Sequence, residues 1–197
     1  MSASPGARGR VIAIVGAEST GKSTLARALA QAVRDAGRDA VAVGEALRDF
    51  CDREQRTPRL DEQAAIAAEQ TRLIDEAATR HAIVVADTTA LMTAVYSEIV
   101  FGDTSLYAEA EAMHRGYALT LLTALDLPWQ ADGLQRDGPH VRAPVDAKVR
   151  AALARAAVGF STVTGFGDAR LAAALAAVHP TLEGLASAPL TPSRRGA

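Results

Sequence analysis

The spacing of two glycines, a lysine and a serine near the start of the chain is typical of a loop that binds phosphate groups. Gly16 and Gly21 are followed by Lys22 and Ser23 in the pattern G-x-x-x-x-G-K-[ST]. The glycines allow a tight turn, and a helix beginning at Lys22 directs the positive end of its dipole at the bound anion. This phosphate loop is predicted to comprise Gly16, Ala17, Glu18, Ser19, Thr20, Gly21, Lys22, Ser23 and Thr24.

The side chains at the end of the phosphate loop suit ATP and a magnesium ion. Lys22, one of only two lysines in the chain, can reach the β- and γ-phosphates of a nucleotide. The Ser23 hydroxyl can ligate Mg²⁺, with Thr24 packing behind it. A chance match in a flexible loop is the alternative, but an apolar run before the loop and a helical pattern after it favour function. We therefore expect ATP and Mg²⁺ as cofactors and Lys22 as a catalytic residue.

An acidic residue ends a later apolar run. Asp87 follows the run 82–86. Its carboxylate can hold Mg²⁺ through water or accept the proton of a substrate hydroxyl. The sequence Asp-Thr-Thr also suits the N-terminus of a helix that begins at Ala90. These roles are compatible, and we predict that Asp87 is a metal-binding, substrate-binding and catalytic residue.

A second acidic residue follows another apolar run and precedes an arginine. Glu45 comes after the run 39–43, and Arg48 stands three positions further on. In a phosphoryl-transfer site, Glu45 can bind a sugar hydroxyl or act as the base, and Arg48 can neutralise a phosphate or orient Glu45. A solvated loop with a local ion pair is the alternative interpretation. We predict both as substrate-binding residues, and the choice of Glu45 or Asp87 as base stays open.

Residues 126–144 form a polar segment rich in glycine, proline and aspartate, which predicts a loop or lid. Arg136 and Arg142 in this segment can close over ATP, bring guanidinium groups to the phosphates and exclude water. An ordinary charged surface loop is the alternative. Residues 165–167 read Gly-Phe-Gly after the last apolar run, where adenine often lies in folds of this kind.

Short apolar runs alternate with helical patterns along the chain, which predicts an α/β fold with a five-stranded parallel sheet flanked by helices. The phosphate loop after the first strand makes this a fold of the P-loop NTPase type. Ligands of such sheets bind at the carboxyl ends of the strands, where the residues named above stand. Strands are predicted at 10–15, 39–43, 82–86, 117–124 and 159–164, and helices at 22–35, 60–80, about 90–100, 104–115, 145–157 and 168–178. Residues 1–9 are predicted to be a flexible tail, 10–178 the kinase-like domain and 179–197 a disordered tail.

Composition narrows the class of protein. The chain has 197 residues, of which 49% are hydrophobic and 22% charged, and this suits one globular domain. A net charge of -2 gives no electrostatic argument for nucleic acid or an anionic membrane. A single cysteine, the lack of an apolar run of ~18–20 residues and the lack of a signal peptide predict a cytoplasmic protein. We expect a small-molecule substrate, and the oligomeric state stays open.

Two large classes of nucleotide-binding protein fit the sequence poorly. A GTPase needs an Asn/Thr-Lys-x-Asp motif, whereas residues 123–126 read Thr-Ala-Leu-Asp without the lysine. A motor ATPase is typically longer and carries an Asp-Glu pair, whereas Asp87 is followed by Thr88. A small chain with single acids after two strands and arginines in a polar loop indicates a small-molecule kinase.

Five segments, taken in order, share the pattern of one known kinase family. They are the phosphate loop and its helix at 16–26, Glu-x-x-Arg at 45–49, Asp-Thr at 87–88, the stretch 96–102 and Pro-Trp-x-x-Asp-Gly-Leu-x-Arg at 128–136. Together they resemble the ribosylnicotinamide kinase domain of NadR-type proteins over roughly residues 10–178, and the resemblance implies a nucleoside-kinase-like fold. The phosphate loop alone is unspecific, and the later motifs in this order carry the specificity.

The resemblance implies an ATP- and Mg²⁺-dependent kinase that phosphorylates the 5′-hydroxyl of nicotinamide riboside, a step of NAD biosynthesis. It implies that Glu45 and Asp87 flank the ribose and that Arg136 and Arg142 belong to the lid. Full-length members carry an adenylyltransferase domain ahead of the kinase, and this chain is expected to be a stand-alone kinase domain. The alternatives are a kinase for a different nucleoside and a non-catalytic ATP- or nucleotide-binding regulatory protein.

Overall fold

A parallel β-sheet lies at the centre of the computed structural model, which describes residues 8–130 and 138–183. The strands are β1 (Arg10–Val15), β2 (Ala40–Val43), β3 (Ile83–Asp87), β4 (Leu119–Thr123) and β5 (Ser161–Val163). They form a 5-stranded sheet in the order β2-β3-β1-β4-β5, and its neighbouring strands are parallel. The predicted α/β fold with a five-stranded parallel sheet is confirmed.

Helices connect the strands and cover both faces of the sheet. They are α1 (Lys22–Asp35), α2 (Ala46–Glu54), α3 (Gln63–Arg80), α4 (Ala90–Phe101), α5 (Tyr107–His114), α6 (Arg142–Arg155) and α7 (Gly167–Glu183). Short 3₁₀ turns at Leu60–Glu62 and Pro139–Val141 precede α3 and α6. No helix within residues 8–130 and 138–183 is long and apolar enough to cross a membrane.

The central strands are buried on both faces, which is why they appear in the sequence as continuous apolar runs. Ile12 and Ile14 of β1 belong to a core cluster that contains residues of α1 and α7. Val15, on the opposite face, packs with residues of α4 and α6, and Val11 packs with α3. Because β1 is central, the loop that follows it emerges in the middle of the carboxyl edge of the sheet.

Three helical segments differ from the sequence prediction. Helix α6 begins at Arg142, inside the segment 126–144 that was predicted to be a loop or lid, and a 3₁₀ turn directly precedes it. Helix α2 was not predicted, because Ala46 and Cys51 are its buried residues and too few apolar positions mark its inner face. Helix α7 continues to Glu183, beyond the predicted boundary at 178, although Pro180 lies inside it. The Arg10 side chain donates to the Thr181 carbonyl, and Arg38 donates to a further carbonyl of the last turn, so this end is held against the domain. The predicted tail segments 1–7 and 184–197 lie outside the described residues.

His114, the last residue of α5, is buried between two hydroxyl groups. Its Nδ1 lies 3.1 Å from Thr89 Oγ1, and its Nε2 lies 3.0 Å from Thr120 Oγ1. The ring therefore links the end of α5 to the residue before α4 and to β4. Burial disfavours the charged imidazolium and lowers the pKa of His114 to about 4.

We expect the free energy of unfolding to decrease as the pH falls from 6.5, the ordinary pKa, to about 4. In this window the unfolded chain binds a proton at His114 and the folded chain does not, so acidification favours unfolding, by at most about 3 kcal/mol. Denaturant titrations across this pH range measure the effect.

The variant His114→Gln is expected to lose this part of the pH dependence, since glutamine does not titrate. His179→Gln is the matched control, because the His179 side chain on α7 is 71% exposed. An unchanged pH dependence in His114→Gln would contradict the assignment.

Candidate functional site

The phosphate loop joins β1 to α1, and its two glycines are required by the local geometry. Gly16 has φ 145°, and a Cβ placed there would stand 2.2 Å from Thr123 Oγ1 of the neighbouring β4. Gly21 has φ 76° and forms the N-cap of α1. A side chain at either position would strain the backbone, and at Gly16 it would also collide with β4. The predicted strand–loop–helix context of the phosphate loop is therefore present.

Hydrogen bonds within and around the loop fix its shape. Thr20 Oγ1 lies 2.7 Å from the Ala17 carbonyl and 2.7 Å from Thr123 Oγ1. The Lys22 ammonium donates to the same Ala17 carbonyl at 2.9 Å. On the outer side, Ser19 Oγ donates to the Gln130 carbonyl at 2.6 Å, and the Gln130 N–H lies 2.9 Å from the same Oγ. These bonds connect the loop to β4 and to the segment that follows it.

Arg170 of α7 is a buried arginine that joins several segments of the site, and sequence analysis did not predict this role. Its guanidinium donates to Asp126 Oδ1 at 2.8 Å, to the Gly165 carbonyl at 2.6 Å and to the Thr20 carbonyl at 3.0 Å. Burial raises the pKa of Asp126, but the hydrogen bonds from Arg170 and from the Gly165 N–H outweigh it and hold that pKa below its usual value. The phosphate loop and the loop after β5 are therefore fixed to each other.

Asp87 occupies the carboxyl end of β3, next to the phosphate loop. It pairs in register with Ile14 of β1 and is 6% exposed. Its Oδ1 is buried and has no hydrogen-bond partner within the described chain. The residue preceding α4 is Thr89, so the alternative role of Asp87 as its helix cap is not realised. Between them Thr88 has φ 75°, an uncommon conformation for a β-branched residue, and its N–H donates to the Ile14 carbonyl at 3.0 Å.

Glu45 precedes α2, and a buried glutamine of α3 holds the backbone on both sides of it. The Gln70 amide donates to the Gly44 carbonyl at 3.1 Å and accepts from the Ala46 N–H at 2.8 Å. Arg48 Nε lies 3.7 Å from Glu45 Oε2. The Glu45 side chain is only 12% exposed, so the solvated-loop alternative does not describe it. Gln70 shares the apolar face of α3 in the sequence, which gave no signal of this bracing role.

Of the two predicted lid arginines, the structure describes Arg142. Arg136 lies outside the described residues. Arg142 is the first residue of α6, is 8% exposed, and donates through Nη1 to the Leu127 carbonyl at 2.9 Å. It does not line the cleft described below, because its guanidinium is turned to the backbone of residue 127. Arg142 therefore lies outside the lining of the cleft, and its role in a lid over ATP stays a prediction.

A cleft of about 1090 Å³ lies over the carboxyl edge of the sheet. Gly16 and Ala17 are buried beneath it and contribute backbone. The predicted residues that line it are Glu18, Ser19, Thr20, Gly21, Lys22, Ser23, Thr24, Glu45, Arg48 and Asp87. Tyr96, Leu127, Gln130, Phe166 and Arg170 line it too. Leu127 and Gln130 belong to the predicted lid segment, and Phe166 belongs to the segment expected near adenine. Sequence analysis did not predict Tyr96 or Arg170 as site residues. The fold thus brings the loop and both acids to one cavity.

The oxygen atoms at the loop fit a magnesium ion that is also coordinated by the phosphates of a nucleotide. Ser23 and Asp87 both line the cleft, and Asp87 presents the buried oxygen without a partner. Within the described residues, no group of three or more His, Cys, Asp or Glu could hold a metal ion. Mg²⁺ typically keeps several waters and binds one or two carboxylates plus substrate phosphates, so two protein donors suit it.

Comparison with solved structures finds the same fold in NadR proteins. The chain in the structure of NadR in complex with NR shares 20% sequence identity with this chain and superposes with a TM-score of 0.65. This match covers 87% of this chain and 51% of that chain. The structure of NadR in complex with NAD and AMP-PNP is 19% identical, with a TM-score of 0.68, and the match covers 87% and 49%. This chain thus spans about half the length of the NadR chains it matches. No curated protein matches it.

A protein-family model gives the family assignment. The model described as AAA domain matches residues 11–170, which run from β1 to the arginine that ties the phosphate loop to α7. The matched region contains the phosphate loop and both acidic residues of the cleft. The chain therefore belongs to the AAA domain family of P-loop proteins.

Proposed function

We propose that this protein is a kinase that transfers the γ-phosphate of ATP to a hydroxyl group of a small molecule, with a nucleoside such as nicotinamide riboside as the acceptor. One observation carries the proposal: Lys22, Asp87 and Glu45 line a single cleft. Small-molecule sites commonly measure about 300–1,000 Å³, so this cavity leaves room for an acceptor beside a nucleotide. The NadR complexes with NR and with AMP-PNP support the same pairing of ligands.

The order of the strands supports a division of the cleft between the two substrates. The phosphate loop follows the central β1, Asp87 and Glu45 follow β3 and β2 on one side, and the loops after β4 and β5 lie on the other. An acceptor bound on the β2–β3 side would meet both acids. The nucleotide base would then lie towards Phe166, after β5.

The chain's own residues would act mainly by positioning and by stabilising charge. Lys22 donates to a neutral carbonyl in this structure, and a phosphate oxygen is the stronger acceptor, so we expect the ammonium to turn to the transferred group when ATP binds. Glu45 and Asp87 would orient the acceptor hydroxyl, and one of them would take its proton. Bound Mg²⁺ would be held by Ser23 and Asp87 and would neutralise charge on the phosphates.

A non-catalytic, nucleotide-binding regulatory protein is the second candidate. The aromatic side chains that line the described cleft are Tyr96 and Phe166. The Tyr96 hydroxyl donates to Glu18, and Phe166 is 79% exposed. Among the described residues, no other aromatic side chain lines the cleft as a platform for a flat cationic ring, and this favours a protein that binds a nucleotide without turning over nicotinamide riboside.

Release of ADP from Mg·ATP, measured against a panel of nucleosides that includes nicotinamide riboside, tests the proposal. Stimulation by nicotinamide riboside supports the full proposal. Stimulation only by another nucleoside keeps the kinase and replaces its acceptor. Tight ATP binding without stimulation by any acceptor overturns the kinase in favour of the regulatory protein.

The variant Lys22→Ala is expected to lower acceptor-dependent turnover by at least about 100-fold, since it removes a cation from the transferred phosphate. Steady-state kinetics measure the loss, and circular dichroism checks that the fold is intact. The other lysine is the control: Lys148 on α6 pairs with Glu98 at 2.6 Å, outside the cleft. Turnover in Lys22→Ala equal to that of Lys148→Ala would refute the scheme.

The variant Asp87→Asn is expected to lower kcat by at least about 100-fold, whether Asp87 holds the metal or takes the proton. Titration with Mg²⁺ separates these roles, because a higher metal concentration restores activity only if metal binding was lost. Asp146→Asn is the control, since Asp146 pairs with Arg150 on α6 away from the cleft. A kcat close to wild type in Asp87→Asn would exclude both roles.

A further inference from the structure

Glu18 is an acid inside a loop that binds phosphates, and one of its oxygens has no partner within the described chain. The residue is 6% exposed and lines the cleft. Its Oε2 accepts a hydrogen bond from the Tyr96 hydroxyl at 3.0 Å, whereas Oε1 is buried and makes no hydrogen bond. A buried carboxylate oxygen without a donor is destabilising, so a hydrogen-bond donor that enters the cleft has a site here.

The neighbours of Glu18 show which half of the cleft its side chain faces. Tyr96 belongs to α4, the helix that follows β3 and Asp87. The next residue of the loop points the other way, because Ser19 Oγ bonds to Gln130, after β4. Ser19 thus faces the segment that follows β4, whereas Glu18 faces α4, the helix that begins at Ala90, shortly after Asp87.

We propose that the Glu18 carboxylate, oriented by Tyr96, binds a hydroxyl or amino group of the phosphoryl acceptor. The phosphate loop then contacts both substrates: its backbone and Lys22 hold ATP, and the Glu18 side chain holds the acceptor. Tyr96 acts through Glu18 as a positioning residue. This inference rests on the proposed kinase function, and it assigns to Glu18 a role that the phosphate-loop pattern does not require.

The charge of this half of the cleft indicates the class of acceptor. On the phosphate loop, at the end of β3 and along α1 and α2, the lining cations are Lys22, Arg27 and Arg48. The lining carboxylates on the same segments are Glu18, Glu45, Asp49, Asp52 and Asp87. Carboxylates attract donors and cations and repel anions. The acceptor is therefore rich in hydroxyl or amino groups, neutral or cationic, and carries no phosphate or carboxylate of its own.

Kinetics of Glu18→Gln in the full chain, with nicotinamide riboside and the nucleoside panel as acceptors, test the inference. We expect the KM for the acceptor to rise at least about tenfold, which is the usual loss for a hydrogen bond to a charged group. The KM for ATP and the affinity for AMP-PNP, measured by calorimetry, are expected to stay unchanged. Tyr96→Phe is expected to raise the same acceptor KM by less, because the carboxylate remains.

A second tyrosine–glutamate pair, outside the cleft, supplies the control. Glu98 of α4 accepts from the Tyr107 hydroxyl at 2.7 Å and does not line the cleft, so Glu98→Gln is expected to leave both KM values unchanged. Glu18→Asp covers the case in which Glu18→Gln fails to fold, since it keeps the charge and shortens the reach, and it too should raise only the acceptor KM.

Three results would overturn the inference, and they differ from one another. An unchanged acceptor KM in folded Glu18→Gln means that the acceptor makes no hydrogen bond to Glu18 Oε1. A weakened affinity for AMP-PNP places Glu18 on the nucleotide side while the kinase proposal stands. A wild-type protein that binds AMP-PNP but turns over no acceptor overturns the proposed function, and this inference with it.

Discussion

The close approach of the Gly16 backbone to Thr123 is the constraint on which the rest of the site depends. Because a Cβ at residue 16 would stand only 2.2 Å from Thr123 Oγ1, this position must be glycine. The same threonine hydroxyl lies 2.7 Å from Thr20 Oγ1, so β4 supports the loop as well as limiting it. This fixes where the loop leaves the sheet, and hence where phosphates can bind relative to Asp87 and Glu45.

Two buried polar side chains hold the remaining segments around that loop. Arg170 ties the loop and the segment after β5 together through backbone carbonyls and Asp126. Gln70 holds the backbone on both sides of Glu45. Neither needs to touch a substrate to matter, because a reacting group displaced by about 1 Å can cost 100-fold in rate. The candidate binding residues thus lie on loops and at the ends of strands and helices, and the core supplies their rigidity.

The arrangement separates two electrostatic tasks within one cavity. In the proposed function, the N-terminal end of α1, the loop amides and Lys22 would present positive charge to phosphates, whereas Glu45, Asp87 and Glu18 would present negative charge to the acceptor. A central loop flanked by β3 on one side and β4 on the other allows these environments to lie next to each other. The chain belongs to the AAA domain family, but Thr88 follows Asp87 where motor ATPases carry a glutamate. Membership of this family is therefore compatible with the proposed small-molecule kinase.

The sequence by itself determined the strands, most helices and the phosphate loop, because each depends on local spacing: continuous apolar runs, helical periodicity, and glycines placed for one turn. It also placed Asp87 and Glu45 at strand ends, and parallel strands bring their carboxyl ends to the same edge of the sheet. The tertiary structure alone decided that helix α2 forms with few apolar residues, that Arg142 turns to the Leu127 carbonyl, and that Gln70 and Arg170 brace the site. These features depend on partners distant in the chain, and no local pattern encodes which distant carbonyl a buried side chain will meet.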